Sequence, residues 1–589
     1  MTKKIMYFQA AALVSSAVFS LLSVSVSFDI SLFAVFISLS FTAFLFNIGF
    51  RKFLRVKDAA MLPLVRKLYE YLPFVHLIAF VIRRAGAYGT PYILDVVSVI
   101  FWVIITVCAN VLLYLLAEKR VYKNNPDLEL SRAELPPKKK NPVKKAVLEA
   151  FSWIDAFIQA ALIVLLVNIF IFQLYEIPSE SMVPEFLIKD RVVVFKTPSG
   201  PKFPLSDVGL PSIRSYKRGD IVVFRNPHYE TTRKSEVKNF ISQIVFMLTF
   251  TKVNLNVDEY GEMKADPLVK RVCGEGGEQL VMLDGTLFAR TRENKEFTPV
   301  ADDNLWAEWN VDGLSSNLKS KINRVPISQS VYSTLLSVEQ ERNLLSLDDA
   351  KREAQELVLA FSKAKRIFLP KEVNDEGINV SSFLSEQELN EYYLFSQNVT
   401  LTRKLLSSDA SVKWFNEFMT SWSSTIPENL DMYEQAMYKL NIMSKLVFGR
   451  LIVRNTELIL LGGTVQSLSK DERINELLNQ AEDLHTYIVL NDSRNMPVFP
   501  KNTASGDPQY ISRDSYFLMG DNRFNSLDMR HSYDTFYIPL TSYDPYSVRY
   551  YSNIEQREVS SARILGTTVF RFWPVSRIGV PGLTAEKSR

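Results

Sequence analysis

The sequence predicts a multi-span α-helical membrane anchor followed by a β-rich domain that a large, mostly helical insertion splits in two. Apolar runs over 6–27, 30–50, 93–117 and 152–174 each reach about the twenty residues that cross a bilayer. From Glu176 the texture changes to short β-branched and aromatic runs bounded by turn formers. Between 291 and 505 the apolar periodicity turns helical and is opened by capping signals.

At 589 residues the chain holds several domains. The expected division is a multi-span anchor over 1–120, a basic cytoplasmic linker over 121–150 with no core of its own, and a last transmembrane helix over 151–175. A first β part over 176–290, a helical cap over 291–505 and a second β part over 506–589 follow. A net charge of +4 is small for this length and gives nucleic-acid binding no support. Cys108 and Cys273 do not make a disulfide framework, and none of His76, His228, His485 and His531 stands in a metal-type pair. Neither a metal nor another cofactor is expected.

Charge sets the topology of the anchor. Lys3 and Lys4 precede the first run, but another apolar run follows it at once, so it reads as a retained span and not as a cleaved leader. Arg51, Lys52, Arg55 and Lys57 mark one cytoplasmic loop; Lys119, Arg120, Lys123, Lys138, Lys139, Lys140, Lys144 and Lys145 mark another. Two cytoplasmic loops need an even number of crossings between them. The run 93–117 supplies one and 68–90 the other, although Leu68–Ile82 is short and Arg83 and Arg84 interrupt it. Five spans are expected; the alternative is four, with 68–82 lying in the interface. The last span then leaves the cytoplasm at Trp153 and emerges near Tyr175, so all that follows is extracytoplasmic. The polar end, 585–589, adds no span.

Beyond the anchor, Val192–Phe195, Ile221–Phe224, Tyr516–Met519 and Thr568–Trp573 read as strands, and Val281–Phe288 as a hairpin turning at Asp284-Gly285. Apolar residues from Val237 to Leu248 share one face of a helix, which suits either core packing or docking at the membrane interface. Inside the insertion, Ser346 with Asp349, Ser385 with Glu388, and Ser469 with Glu472 read as capping boxes.

Three motifs carry chemistry. Directly after the last apolar run, Ile177-Pro178-Ser179-Glu180-Ser181-Met182-Val183-Pro184 offers two hydroxyls two residues apart between prolines. In Leu268-Val269-Lys270-Arg271-Val272 a lysine sits among apolar neighbours, where burial favours the neutral amine. A neutral lysine can serve a serine as general base in place of histidine. Downstream stands Gly520-Asp521-Asn522-Arg523-Phe524-Asn525-Ser526-Leu527-Asp528-Met529-Arg530. Together these resemble the type I signal peptidases, membrane-bound Ser-Lys proteases that cut signal peptides from exported proteins.

The resemblance covers roughly 150–290 and 510–580 and implies a β-rich catalytic domain in which Ser181 is the nucleophile and Lys270 the general base. It also implies that the Ser181 N–H and the Ser179 hydroxyl form the oxyanion hole and that Ser526 orients Lys270. Arg271 with Asp521, and Asp528 with Arg530, would brace the strands carrying the site. The implied partners are signal-peptide-bearing secretory preproteins, the lipid bilayer and the protein-export machinery, at the bacterial cytoplasmic membrane with the catalytic domain outside. Several positions depart from the pattern. Glu185 and Lys189 stand where the family often has Thr and Gly, Cys273 replaces an aliphatic residue, and Gly274-Glu275-Gly276-Gly277-Glu278 replaces Gly-x-Pro-Gly-Asp. His531-Ser532-Tyr533 replaces an aromatic-Gly pair, and about thirty extra residues precede the closing stretch from Ile564 to Pro574. His531 beside the third motif could suggest a Ser-His mechanism, but a lone histidine in polar surroundings reads as a surface or hydrogen-bonding residue. Two alternatives stay open: a narrow Ser-Lys processing protease for one dedicated envelope protein, and a non-catalytic scaffold that kept the fold.

Overall fold

The computed structural model describes residues 2–24, 28–87, 89–133, 142–229, 232–249, 253, 255, 265–368, 383–424 and 427–582. The polar end at 585–589 and the Pro/Lys stretch at 136–140 lie outside them.

The anchor is built from α1 (Thr2–Leu22), α2 (Leu32–Leu45, running on as a π-helical segment to Arg55), α3 (Leu62–Arg84), α4 (Tyr92–Leu115) and α5 (Pro142–Phe170). Among the described residues, four segments are long and apolar enough to cross a membrane: Lys3–Leu22, Leu32–Arg55, Tyr92–Leu115 and Ala146–Phe170. The short run at 68–82 belongs to α3, whose 23 residues extend about 35 Å. Its apolar stretch reads short because its polar groups face protein. His76 Nε2 meets Ser16 Oγ at 2.7 Å, and Arg83 Nη2 donates to Asp95 Oδ1 at 2.9 Å, with His76, Arg83 and Arg84 all buried.

The expected linker does not lack a core. Short helices at Glu118–Lys123 and Pro126–Ala133 bury Val121, Tyr122 and Leu128 in the core of the anchor. The last helix also starts and stops earlier than expected, at Pro142 and Phe170, because Phe172–Glu176 is already a strand. Its five residues pair with Arg191–Phe195, so Tyr175 belongs to the sheet.

The β-rich unit contains β1 (Phe172–Glu176), β2 (Arg191–Phe195), β3 (Ile221–Phe224), α6 (Arg233–Leu248), β4 (Leu268–Gly274), β5 (Gln279–Leu283), β6 (Thr286–Arg290) and β7 (Thr298–Pro299). After the helices come β8 (Met496–Phe499), β9 (Ser515–Met519), β10 (His531–Pro539), β11 (Arg549–Ile554), β12 (Val559–Ser560) and β13 (Ile564–Trp573). Seven strands form one sheet in the order β1-β2-β13-β3-β4-β9-β12, and β7-β6-β5-β8 form a second of four. Pairing between β3, β4 and β9 is antiparallel throughout, which sets Lys270 opposite Val222 and Arg271 opposite Met519. Asp284 and Gly285 turn the β5–β6 hairpin at φ of 52° and 78°, the left-handed pair that a two-residue hairpin loop requires.

Between β7 and β8 the described residues are mostly helical. The longest elements are α7 (Gln329–Leu344), α8 (Leu347–Phe368), α9 (Met432–Leu460) and α10 (Glu472–Arg494), packed around Trp414, Phe418, Phe448 and Leu451. Three boundaries differ from expectation. The strands β7 and β8 fall inside 291–505 yet belong to a sheet with β5 and β6. Residues 303–323 lie against the β-rich unit, with Val311 and Leu318 sharing a core with Val183 and Leu187. Conversely, Leu540, Val548 and Tyr550 of the β10–β11 region pack into the helical core, so this hairpin belongs with it, while β12, later in the same extra stretch, pairs with β9 in the seven-stranded sheet.

The capping signals also shift. Ser346 accepts from Asp349 N at the start of α8, as expected. The Ser385–Glu388 box closes only a turn: the helix begins at Glu391, where Asn390 caps Tyr392 N and Tyr393 N. Asp471, and not Ser469, caps α10 by accepting from Ile474 N at 3.0 Å. In both places an acceptor closer to the first turn reaches the free N–H groups.

Candidate active site

Ser181 lies in a turn between β1 and β2. Ile177 N–H donates to Asp190 O and Lys189 N–H returns to Ile177 O, closing the base of the loop. Asp190 accepts from Leu187 N at 2.9 Å and stands 3.1 Å from Arg577, while Arg571 Nη1 donates to Glu185 O at 2.6 Å. These polar ties fix the turn from β13 and the segment after it. The motif did not reveal them, since Arg571 and Arg577 lie almost four hundred residues downstream.

On β4, Lys270 points at the turn. Its Nζ is 2.5 Å from Ser181 Oγ, and both residues are buried. Burial lowers the lysine to about 8 from the usual 10.5, against the opposing pull of Asp528 and Asp521. Ser179, exposed at the lip, is 3.4 Å from Ser181 Oγ through its own hydroxyl.

The loop after β9 closes the other side. Asn522 N–H donates to Ser181 O at 3.1 Å, and Asn522 Nδ2 donates to Glu180 O at 3.1 Å. Arg271 forms a two-pronged pair with Asp521, at 2.8 and 2.6 Å, which outweighs burial and raises the guanidinium above its usual value. Arg530 grips Asp528 in the same way at 2.8 and 3.0 Å. Burial alone would raise the Asp528 carboxyl; Arg530 and the Gly520 N–H hold it well below the carboxylate range.

Ser526 departs from its implied role. Its hydroxyl donates to Asp528 Oδ2 at 2.7 Å, and no hydrogen bond to Lys270 is among those of the described residues. The carboxylate anion is the stronger acceptor and takes the hydroxyl hydrogen; the Ser526 oxygen keeps lone pairs that can accept. Gly520 is what lets these groups converge, because a Cβ there would lie 2.2 Å from Ser526 Oγ and 2.4 Å from Ser181 O.

Further residues with no motif to announce them complete the surround. Trp306 lies over the Arg271 guanidinium at 5.0 Å and fills the space beside Gly219, where a Cβ would come within 2.7 Å of the indole. Asn323 N–H donates to Glu180 Oε1 at 2.5 Å. Glu185, one of the departures, is half-buried 3.6 Å from Arg271, and desolvation raises its carboxyl. Cys273 is buried and pushed up to about 12, an inert thiol at neutral pH. His531 is lowered to about 4 by burial and its ring bonds Asn553 Oδ1 at 3.1 Å across the β10–β11 hairpin. His228 packs edge-on to Tyr533. The arrangement therefore offers one buried hydroxyl, one neighbouring amine of low basicity, and polar groups already committed to holding them.

Residues 150–323 match the family model described as signal peptidase, peptidase S26. The chain is 35% identical over 113 residues to signal peptidase I of Buchnera aphidicola subsp. Baizongia pistaciae, covering 19% of this chain and 33% of that one. It is 34% identical over 89 residues to signal peptidase I of Buchnera aphidicola subsp. Schizaphis graminum, covering 14% and 28%. With signal peptidase I of Haemophilus influenzae the identity is 25% over 135 residues, covering 23% and 36%. The chain spans about a third of the length of the curated relatives it matches. No solved structure matches it. The family match ends at 323, where the segment packed against the Ser181 turn also ends.

Proposed function

We propose that this chain, whose residues 150–323 belong to the signal peptidase S26 family, is a membrane-bound serine endopeptidase that removes signal peptides from secreted preproteins. The observation carrying the reading is the 2.5 Å approach of Lys270 Nζ to Ser181 Oγ in a buried setting that lowers the amine to about 8.

In the neutral form of Lys270, the Ser181 hydroxyl donates to the Nζ lone pair. As Oγ attacks the scissile carbonyl, Nζ takes the proton and becomes an ammonium. The carbonyl oxygen, now anionic, is stabilised by the Ser181 N–H and the Ser179 hydroxyl. The ammonium then protonates the leaving amine, and the acyl ester on Ser181 is hydrolysed by a water that Lys270 activates in the same way. Asp528 supports this indirectly: already saturated by Arg530, Gly520 and Ser526, it can hold Ser526 beside the dyad without capturing the lysine as an ion pair.

The substrates are preproteins whose apolar segment remains in the bilayer, brought to the site by the export machinery. Five spans, with α3 crossing, place the catalytic unit outside the cytoplasmic membrane; a reporter at Gly86 should then read extracytoplasmic. The helical unit is read as a cap that governs access. Depletion of the protein should cause many precursors to accumulate. Accumulation of one alone would favour the narrow processing protease, and accumulation of none would favour the scaffold.

A further inference from the structure

The loop from Pro201 to Leu210 leaves the catalytic unit and enters the mouth of the anchor. It is a small closed hairpin, with Phe203 N–H donating to Val208 O at 2.8 Å and Leu210 N–H to Pro201 O at 3.0 Å. Phe203 at its tip is buried with the anchor core. Its ring sits edge-on to Phe80 of α3 at 5.9 Å, Trp102 of α4 at 5.3 Å and Phe170 of α5 at 4.9 Å. Three helices thus each give one aromatic wall to a single socket.

A polar layer locks the same loop. Leu205 O accepts from Arg84 Nε at 2.5 Å and from Arg233 Nη1 at 3.0 Å. Ser206 Oγ donates to Asp95 Oδ2 at 2.8 Å. Asp95 is itself held by Arg83 at 2.9 Å and Thr90 at 2.5 Å, so both of its oxygens are engaged. The arginines that interrupt the apolar run of α3 serve this joint. Along the chain only Ile171 separates α5 from the sheet, and the other ties there, Lys196 Nζ to Asn168 O at 3.0 Å and Thr197 Oγ1 to Phe170 O at 2.7 Å, gather at the same end of the helix; the 201–210 loop adds an attachment to α3 and α4.

We propose that the anchor is a receptor for the 201–210 loop, and that Phe203 and Ser206 are positioning residues that fix the height and tilt of Ser181 over the bilayer. This rests on the peptidase reading above. A bond to be cut next to a membrane-held apolar segment cannot adjust its height freely, whereas a soluble peptide can. Misplacement by about 1 Å is enough to cost about a hundredfold in rate.

The test uses the full chain in phosphatidylcholine–phosphatidylglycerol vesicles with two substrates: a membrane-inserted precursor, and a soluble peptide spanning its cleavage site. In Phe203→Ala and Ser206→Ala, kcat/KM for the precursor should fall about tenfold or more while the peptide stays within about twofold. Phe203→Leu should recover part of the precursor activity. Ser206→Ala opens no cavity and leaves Asp95 paired, so it reads the same ratio should Phe203→Ala misfold. Equal losses on both substrates would mean a merely structural loop, and no loss on either would mean no positioning; both overturn the inference. If the unaltered chain cleaves neither substrate, it is the peptidase reading that fails.

Discussion

Asp303 and Arg523 form a wholly buried ion pair, Arg523 Nη2 donating to Asp303 Oδ1 at 2.6 Å. It joins the start of the segment 303–323 to the third motif. Glu308 N–H donates to Asp521 O at 2.7 Å, Arg523 N–H returns to Glu308 O, and Asn323 N–H reaches Glu180 beside the serine. The segment is thus a strap laid across both halves of the site, although it reads from sequence as the start of a separable cap.

Removal of the strap should therefore be costly. Asp303→Ala leaves a buried, unpaired guanidinium and should lower stability by about 3–5 kcal/mol, read by denaturant unfolding. Replacing 295–500 by a short linker should abolish cleavage of a soluble peptide even where the protein inserts in the membrane. Retained cleavage would mean that the strap is dispensable to the site.

Gly520→Ala should lower kcat on a soluble peptide by about a hundredfold with little change in secondary structure by circular dichroism. The added methyl meets the Ser181 carbonyl and the Ser526 hydroxyl, so either the turn or Ser526 must move. Wild-type turnover in this variant would show that the two loops need not touch.

For Lys270 the sign of the pH effect follows from its lowered value. As the proposed general base it must be neutral, so kcat/KM should rise with pH through about 8 and level off above it. The folded lysine loses its proton at about 8 and the unfolded one near 10.5, so the unfolded state binds more protons between these values. Stability should rise with pH across that window, by about 3 kcal/mol in all. Lys270→Met should be inactive but more stable than the parent at pH 7, by about 1–3 kcal/mol. A flat pH profile with chemistry rate-limiting, or a less stable Lys270→Met, would remove the buried amine from the mechanism.

Lys445 of α9 and Asp544 of the loop between β10 and β11 pair out of reach of water, with Asn441 and Ser421 also donating to the carboxylate. Asp544→Ala should destabilise the protein by about 3–5 kcal/mol because Lys445 is left charged and buried. The double variant Lys445→Met with Asp544→Leu should lose much less, and equilibrium unfolding of the three proteins measures the difference. Equal losses would mean that packing, and not charge, sets the cost.

The sequence by itself determined what depends on neighbours along the chain. Apolar runs long enough to cross a bilayer, the β-rich texture from Glu176 on, and the Asp284-Gly285 turn are local instructions, and the helices and strands follow them. The short motifs around Ser181, Lys270 and Ser526 were legible for the same reason: each is a few residues in a fixed order. Only the tertiary structure decided which distant groups meet. Lys270 approaches Ser181 across 89 residues, Arg523 meets Asp303 across 220, and Ser206 reaches Asp95 across 111. Arg83 and Arg84 look like breaks in a span until Asp95 and the 201–210 loop appear beside them. A buried charge is tolerable only with a partner, and no periodicity in the sequence says which partner the folded chain will supply.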